Sequence, residues 1–204
     1  MIAMLISLGV IIGLVFIVAM TGMQIYNRLV LLKNRCDNGF AQIEVQLKRR
    51  YDLIPNLVET VKGYLTHEKE TLEGVIAARN QASAGLKAMA KDPGNAKAMK
   101  SFVGSEGALA GAMGRLNFVM EAYPELKANE SIASLTEELS HTENRIAFAR
   151  QAYNDLVMVF NTYRQSFPTV AVAPLFGFAQ DRDMLEFADS EQIQEAPQVS
   201  LVGN

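Results

Sequence analysis

Residue types that commonly carry chemistry are scarce in this chain of 204 residues, which has one cysteine, Cys36, and two histidines, His67 and His141. Glu138 and His141 have the Glu-x-x-His spacing of di-iron carboxylate bundles. Such a site needs a second pair and two further inward carboxylates, and the sequence has no second pair. The spacing of Glu137 and His141 also suits a metal, but the heptad pattern places His141 outside the helix seam. We therefore interpret these residues as exposed helix surface.

The signals for nucleophilic and phosphate chemistry are equally weak. Cys36 lies on an apolar stripe, where a lone cysteine is usually a small buried hydrophobe. A catalytic pair with the distant His67 or His141 is an unsupported alternative. The stretch "GSEGALAGAMG" (104–114) lacks the lysine of a P-loop and follows no apolar strand. We predict no enzymatic activity, no cofactor and no metal site.

Composition and charge restrict the class of protein. The length allows one soluble domain plus small extras, and the net charge is −3. A nucleic-acid binder would carry a basic excess, whereas the one basic run here, Lys48-Arg49-Arg50, has no interleaved aromatic residues. We interpret that run as a solvated helix face and predict no nucleic-acid partner.

The N-terminal segment has the length and composition of a membrane anchor. Met1–Asn27 carries no charged side chain, and the apolar run Ile2–Met20 would span roughly 29 Å as a helix, close to the thickness of a bilayer core. A cleaved signal peptide would need a basic residue before a shorter run and a small-x-small cleavage site. We predict an uncleaved single-pass anchor in the inner membrane that contacts lipid through residues 1–24.

The charges that flank the anchor predict its orientation. No basic residue precedes the apolar run. Three basic residues follow it directly: Arg28, Lys33 and Arg35. The positive-inside rule then places the C-terminal bulk of the chain in the cytoplasm and the N-terminus outside.

A proline interrupts the first helical pattern without changing its phase. Apolar residues recur in steps of three and four from Cys36 to Leu65: Cys36, Phe40, Ile43, Leu47, Tyr51, Ile54, Val58, Val61 and Leu65. Pro55 inside a helix costs about 3 kcal/mol, but Ile54 cannot cap a new helix that begins at Pro55. We predict one long helix from the membrane to about Thr66, kinked near Tyr51–Pro55, where the Tyr51 carbonyl loses its partner.

Three further helices follow this first one. Thr66 is the predicted N-cap of the second helix, and the turn "KDPGN" (91–95) predicts an antiparallel third helix that ends near Pro124. The fourth shows a heptad seam that Pro168 stops: Ile132, Leu135, Leu139, Thr142, Ile146, Ala149, Tyr153, Leu156, Phe160, Tyr163 and Phe167. The fold class is therefore all-α, with an N-terminal transmembrane helix that continues into a long antiparallel bundle of about four helices.

The domain organisation follows from these elements. We predict a transmembrane anchor over 1–24, an antiparallel helical bundle over 25–168 and a C-terminal tail over 169–204. The apolar stretch "VAVAPLFGF" (170–178) should dock on the bundle or on a partner. From Asp181 to the end the chain has six acidic residues against one basic residue, Arg182, and the last fifteen or so residues should be disordered.

Four glycines of the third helix form a stripe: Gly104, Gly107, Gly111 and Gly114. Each costs about 0.5–1 kcal/mol relative to alanine, and the stripe lies nearly opposite the apolar face of its helix. A bare glycine face lets another backbone approach closely. We predict that this face packs against a second copy in a homo-oligomer, although a tolerated, weakly helical surface is an open alternative.

Two long stretches and a loop resemble the LemA family of bacterial membrane-anchored proteins: "YNRLVLLKNRCDNGFAQIEVQLKRRYDLIPNLVETVKGY" (26–64), "ENRIAFARQAYNDLVMVFNTYRQSFPTVAVAPLFGF" (143–178) and "EAYPELKANES" (121–131). The resemblance implies one N-terminal membrane helix, an antiparallel helical bundle and no enzymatic activity. Members are often encoded near membrane peptidases or other envelope proteins, which implies a partner of that kind. The resemblance carries over no site residues.

Three functional hypotheses follow. The first is a membrane-anchored scaffold that self-associates and organises partner proteins at the bacterial membrane. The second is an adaptor or sensory bundle that regulates a neighbouring membrane protease or transporter. The third is an enzyme whose site the sequence does not reveal.

Overall fold

The computed structural model describes residues 1–65 and 67–187, and every regular element in these residues is helical. This confirms the all-α fold class. The elements are α1 (Ile2–Lys62), α2 (Lys69–Lys91), α3 (Ala96–Glu121), α4 (Pro124–Lys127), α5 (Glu130–Gln165), α6 (Thr169–Val172) and a 3-10 helix (Ala173–Phe176).

Helix α1 is continuous through Pro55, as the unbroken phase of the apolar stripe predicts. All nine stripe residues from Cys36 to Leu65 are buried. The helix ends at Lys62, a few residues before the predicted end at Thr66, and Gly63, a residue of low helix propensity, follows it. A bend at Pro55 stays a prediction.

The predicted cap of the second helix is wrong. Helix α2 has Glu68 as its N-cap, with no side-chain capping bond, and it begins at Lys69. Thr66 itself lies outside the described residues. The next cap is formed by a side chain, since Asn95 accepts a hydrogen bond from the Ala98 backbone N–H at 3.0 Å and starts α3.

Helix α5 begins at a side-chain cap and ends before the predicted end of its seam. Asn129 Oδ1 accepts hydrogen bonds from the backbone N–H groups of Ser131 and Ile132 at the start of the helix. Phe167, predicted as the last seam residue, lies beyond the end of α5 at Gln165 and is 86% exposed. The heptad pattern outlasts the helix there because Pro168 removes the next backbone donor.

The first of two compact units comprises residues 1–42 and 149–184. Within it, α1 and α5 run antiparallel and approach closely at Gly39, where a Cβ would lie 3.6 Å from the Tyr153 Cα. The rings of Phe40 and Tyr153 make an edge contact at 6.0 Å, and Tyr26 packs against Phe178 further along. Glycine at position 39 therefore lies directly against α5, with no space for a side chain unless Leu156 shifts.

The second unit comprises, among the described residues, 43–148 and 185–187. Helices α2 and α3 form an antiparallel hairpin that packs through buried apolar residues of both: Leu72, Val75, Ala82, Leu86, Met89, Met99, Phe102, Leu109 and Leu116. Phe187 lies against Phe102 with ring centroids 5.9 Å apart. The division into anchor, bundle and tail stays a prediction. The predicted disorder of the last fifteen or so residues concerns a part of the chain outside the described residues.

Candidate functional site

A buried carboxylate on α3 is the most chemically distinctive group of the second unit. Glu106 is 4% exposed, and it lies on the apolar face of its helix. The Tyr51 hydroxyl donates a hydrogen bond to Glu106 Oε1, and the Arg50 guanidinium pairs with Oε2. Arg50 also lies 3.7 Å from the Glu143 carboxylate on α5. Neighbouring residues of α1 thus bind the one carboxylate from α3.

The geometry of this cluster indicates a structural contact between helices α1 and α3. Both oxygens of Glu106 are engaged by side chains of α1, so the carboxylate is committed to a structural contact. Burial raises the pKa of Tyr51 far above its ordinary value, and the neighbouring Glu106 carboxylate raises it further. Tyr51 therefore stays protonated and acts as a hydrogen-bond donor. A buried pair of this kind fixes the register between helices more than it adds net stability.

The carbonyl left without a partner by Pro55 is satisfied from another helix. Arg79 Nε on α2 donates to the Tyr51 carbonyl oxygen at 2.8 Å. Its guanidinium also lies 3.6 Å from the exposed Asp52 carboxylate. A buried carbonyl without a donor costs about 1–3 kcal/mol, so Arg79 offsets part of the cost of the proline. Proline in the sequence predicts the orphaned carbonyl, but no sequence pattern identifies Arg79 as its donor.

A groove lies beside Pro55 in the same unit. Its volume is about 820 Å³, and its lining comes from the C-terminal end of α1 and the first turns of α2. The apolar part of the lining includes Val58, Leu65, Leu72 and Ile76. Charged side chains of both signs surround it: Glu59, Lys62, Lys69 and Glu73. An apolar groove with a charged rim suits a protein segment better than a small polar metabolite.

The four glycines of α3 lie on its exposed side. A Cβ built at Gly104, Gly107, Gly111 or Gly114 would meet nothing within 4 Å. The buried face of α3 is formed by other residues, among them Phe102, Leu109 and Leu116. The glycine stripe therefore does not line the core of its own chain, and its role as an oligomer face stays a prediction.

The other residues singled out in the sequence occupy separate places. Glu138 pairs with Arg49 on α1 at 2.6 Å, and both side chains are more than 40% exposed. His141 lies 3.6 Å from Glu137 on the surface of α5. Across residues 1–65 and 67–187, no group of three or more His, Cys, Asp or Glu side chains is arranged to hold a metal. Cys36 is a buried free thiol in the first unit.

The C-terminal tail of the first unit is held by a polar clamp that the sequence analysis does not predict. Arg164 Nη2 and Gln165 Nε2 contact the two carboxylate oxygens of Asp181 at 2.5 Å and 2.8 Å. The Asn161 side chain binds both the N–H and the carbonyl of Arg182, each at 2.9 Å. Arg182 Nη1 forms an ion pair with Asp37 Oδ1 on α1 at 2.7 Å.

The N-terminal part of α1 is long and apolar enough to cross a membrane, and none of its most apolar stretch is buried inside the protein. Together with the helical packing that follows, this defines the class of protein: a membrane-associated helical protein. The model of the LemA family matches residues 39–201, which is most of the chain. The chain belongs to the LemA family.

Individual relatives are more distant. A protein named LemA from Metamycoplasma hominis is 29% identical over 147 residues, covering 72% of this chain and 63% of that protein. Magnetosome protein MamQ 2 from Paramagnetospirillum magneticum is 27% identical over 188 residues, covering 84% of this chain and 65% of that protein. Magnetosome protein MamQ from Magnetospirillum gryphiswaldense is 25% identical over 168 residues, covering 75% of this chain and 62% of that protein. The chain thus spans a little under two thirds of the length of these relatives.

Sequence reasoning misses Glu106 although a signal for it exists. The apolar stripe of α3 steps by seven from Phe102 to Leu109, and the missing position is Glu106. A carboxylate four residues after one core residue and three before the next lies on the buried face of a helix. A charged residue at a core position indicates a buried partner on another element. Arg79 shows the same signal, because it lies four residues after Val75 and three before Ala82 on the apolar stripe of α2. Arg182 lies after the last helical element and carries no such signal.

Proposed function

We propose that this protein is a membrane-anchored helical scaffold that self-associates and organises partner proteins at the bacterial inner membrane, with no catalytic activity. The observation that carries the proposal is the continuity of α1, which joins the apolar segment to the rest of the chain without a loop. An attachment through a helix without a loop is stiffer than a flexible linker, which favours a scaffold over a freely tethered domain. The basic residues after the anchor support a cytoplasmic location for the C-terminal bulk.

The anchor is tested by alkaline carbonate extraction of native membranes. The full-length chain should remain in the membrane pellet. Alkaline carbonate disrupts electrostatic contacts with the membrane, but it does not remove an apolar helix of 19 residues from the lipid. A chain that begins near Gln24 should be extracted as a soluble helical protein. Recovery of a mature native chain cleaved after about residue 20 would show a signal peptide and overturn the anchor.

The exposed glycines of α3 support self-association. Four glycines within one helix cost roughly 2–4 kcal/mol relative to alanine, yet nothing in the described chain occupies the space above them. Close approach of a second backbone would offset that cost. The proposed contact joins this face to a second copy and, repeated in closed symmetry, builds a membrane-attached oligomer.

Light scattering on the detergent-extracted full-length protein tests this contact. Gly111→Leu should dissociate the oligomer without unfolding the chain, because the new side chain enters open space within its own copy. Gly74→Leu on α2 is the matched control, since a Cβ there also meets nothing within 4 Å, and it should keep the oligomeric mass. The proposal fails if wild type is a monomer or if Gly111→Leu keeps the wild-type mass.

The groove beside Pro55 favours a second candidate function, that of an adaptor for a neighbouring membrane protease, a transporter or another envelope protein. Its mixed charged rim and apolar floor are suited to a helical segment of such a partner. A photo-crosslinking amino acid at Ile76 should then capture one foreign protein in native membranes. The same group at exposed Phe118 is the control. Capture of only a second copy from Ile76 would favour the scaffold over the adaptor.

A further inference from the structure

The turn after α5 carries an exposed apolar patch, which we call the apolar tip and define as residues 167–178. Several of its large side chains are open to solvent, with Phe167 86% exposed, Leu175 81% and Val170 45%. No charged residue occurs between Arg164 and Asp181. A contiguous apolar patch of this kind in a folded protein marks a surface that contacts a membrane or another protein.

The apolar tip is a defined structure. Gly177 adopts a left-handed conformation with φ +84°, which L side chains rarely adopt, and lets the chain turn back. The Phe178 N–H donates to the Ala173 carbonyl at 3.0 Å and closes the turn. The clamp on Asp181 and Arg182 holds the chain immediately after it. The exposed side chains of the tip are therefore presented from a fixed turn.

The part of α1 against which the apolar tip packs indicates that the tip contacts the membrane. Phe176 lies 3.8 Å from the Cβ position of Gly22, and its ring makes an edge contact with Tyr26 at 5.4 Å. The helix register agrees, because Tyr153 lies beside Gly39 and α5 runs antiparallel to α1. The tip thus lies against the residues that directly follow the apolar run Ile2–Met20.

Membrane dimensions place this level in the headgroup layer. A bilayer core of about 30 Å is spanned by roughly 20 residues, and each headgroup layer adds about 5–8 Å. Gly22 to Tyr26 lie about 3–9 Å beyond Met20 along the helix axis. Aromatic residues such as Tyr26 and Phe176 are favoured at that depth. Neither segment brings a charge to this level: α1 is uncharged up to Arg28, and the tip is uncharged throughout.

We infer that the apolar tip inserts into the membrane interface beside the anchor, as a second contact between this chain and the lipid. Two contacts of one compact unit with the bilayer, the spanning helix and the tip, fix the tilt and rotation of α1, which a single helix leaves free. The inference rests on the proposed anchor. It adds a lipid-binding surface about 150 residues away from it in the sequence.

Depth-dependent quenching of a single tryptophan tests the inference in the full-length protein reconstituted into phosphatidylcholine vesicles. The natural chain has no Trp, so each variant carries one reporter. Leu175→Trp reports the tip, Phe16→Trp the anchor, and Met158→Trp an exposed site on α5 about 13 Å before Phe167 along the helix. All three native side chains are more than half exposed, so the substitutions leave the packing unchanged.

Leu175→Trp should be quenched most strongly by lipids brominated close to the headgroup, Phe16→Trp by lipids brominated deep in the acyl chain, and Met158→Trp by neither. If Phe16→Trp is quenched and Leu175→Trp is not, insertion of the apolar tip is contradicted while the membrane anchor is supported. A blue-shifted but unquenched emission at 175 means that protein covers the tip, which also overturns the inference. Lack of quenching at 16 overturns the anchor and the inference with it.

Discussion

At the scale of residues, two groups of the second unit that are costly to bury have specific partners: the Glu106 carboxylate and the Tyr51 carbonyl. Glu106 is buried against Arg50 and Tyr51, and the Tyr51 carbonyl accepts from Arg79. The same helix α1 carries a second arginine, Arg49, whose pair with Glu138 is exposed. Two Arg–Glu pairs of similar chemistry thus differ mainly in burial, and burial decides how much each matters.

We predict that Glu106→Ala destabilises the protein by about 3–5 kcal/mol, because it leaves the Arg50 charge buried and the Tyr51 hydroxyl without its acceptor. Glu138→Ala is the matched control and should cost about 0–1 kcal/mol, since that pair is solvent-exposed. Denaturant unfolding followed by circular dichroism measures both. Equal losses of stability in the two variants would contradict a special contribution from the buried Glu106 contact.

The partner of the Tyr51 carbonyl changes what is expected of Pro55→Ala. The alanine N–H can donate to that carbonyl, but Arg79 already does so, and the gain in stability is therefore small. Arg79→Met should cost more in the wild-type background than in the Pro55→Ala background, by about 0.5–1.5 kcal/mol, because only proline leaves the carbonyl dependent on Arg79. A double-mutant cycle of unfolding free energies measures this coupling. Additive costs would show that Arg79 acts through another contact, such as Asp52.

At the scale of elements, glycines have opposite roles on two helices. Gly39 of α1 lies under α5, where a Cβ would come within 2.8 Å of the Leu156 side chain. Gly111 of α3 faces open space within the chain. Helix propensity alone would treat the two positions alike, so their packing decides the outcome of substitution.

We predict that Gly39→Leu lowers the stability of the protein by about 1–3 kcal/mol, because the side chain must displace Leu156 or separate the helices. A Cβ at Gly111 meets nothing within 4 Å in the described part of the chain, so Gly111→Leu should leave the folded monomer as stable as wild type or more stable by about 0.5–1 kcal/mol. Thermal unfolding in detergent compares the two. A larger loss for Gly111→Leu would mean that its face is needed within the chain.

At the scale of the whole molecule, the arrangement of charges around α1 predicts its membrane topology. A cysteine introduced at exposed Phe118 should react with an impermeant maleimide only after the inner membrane is permeabilised, because the positive-inside rule places it in the cytoplasm. The native Cys36 gives little background, since burial raises the pKa of its thiol, against a smaller opposing effect of Arg182. Labelling at position 118 before the inner membrane is permeabilised would show the opposite topology, with the C-terminal bulk outside the cytoplasm.

The sequence by itself determined the four long helices, the uninterrupted passage of α1 through Pro55 and the buried stripes, because these follow from local periodicity. It predicted an inward end for the seam of α5 at Phe167, where the helix had already ended and the side chain is exposed. Only the tertiary structure decided that Arg79 serves the Tyr51 carbonyl and that Arg182 reaches Asp37. These contacts join residues 28 and 145 positions apart, and no local pattern encodes which distant side chain fills a given place in the packed core.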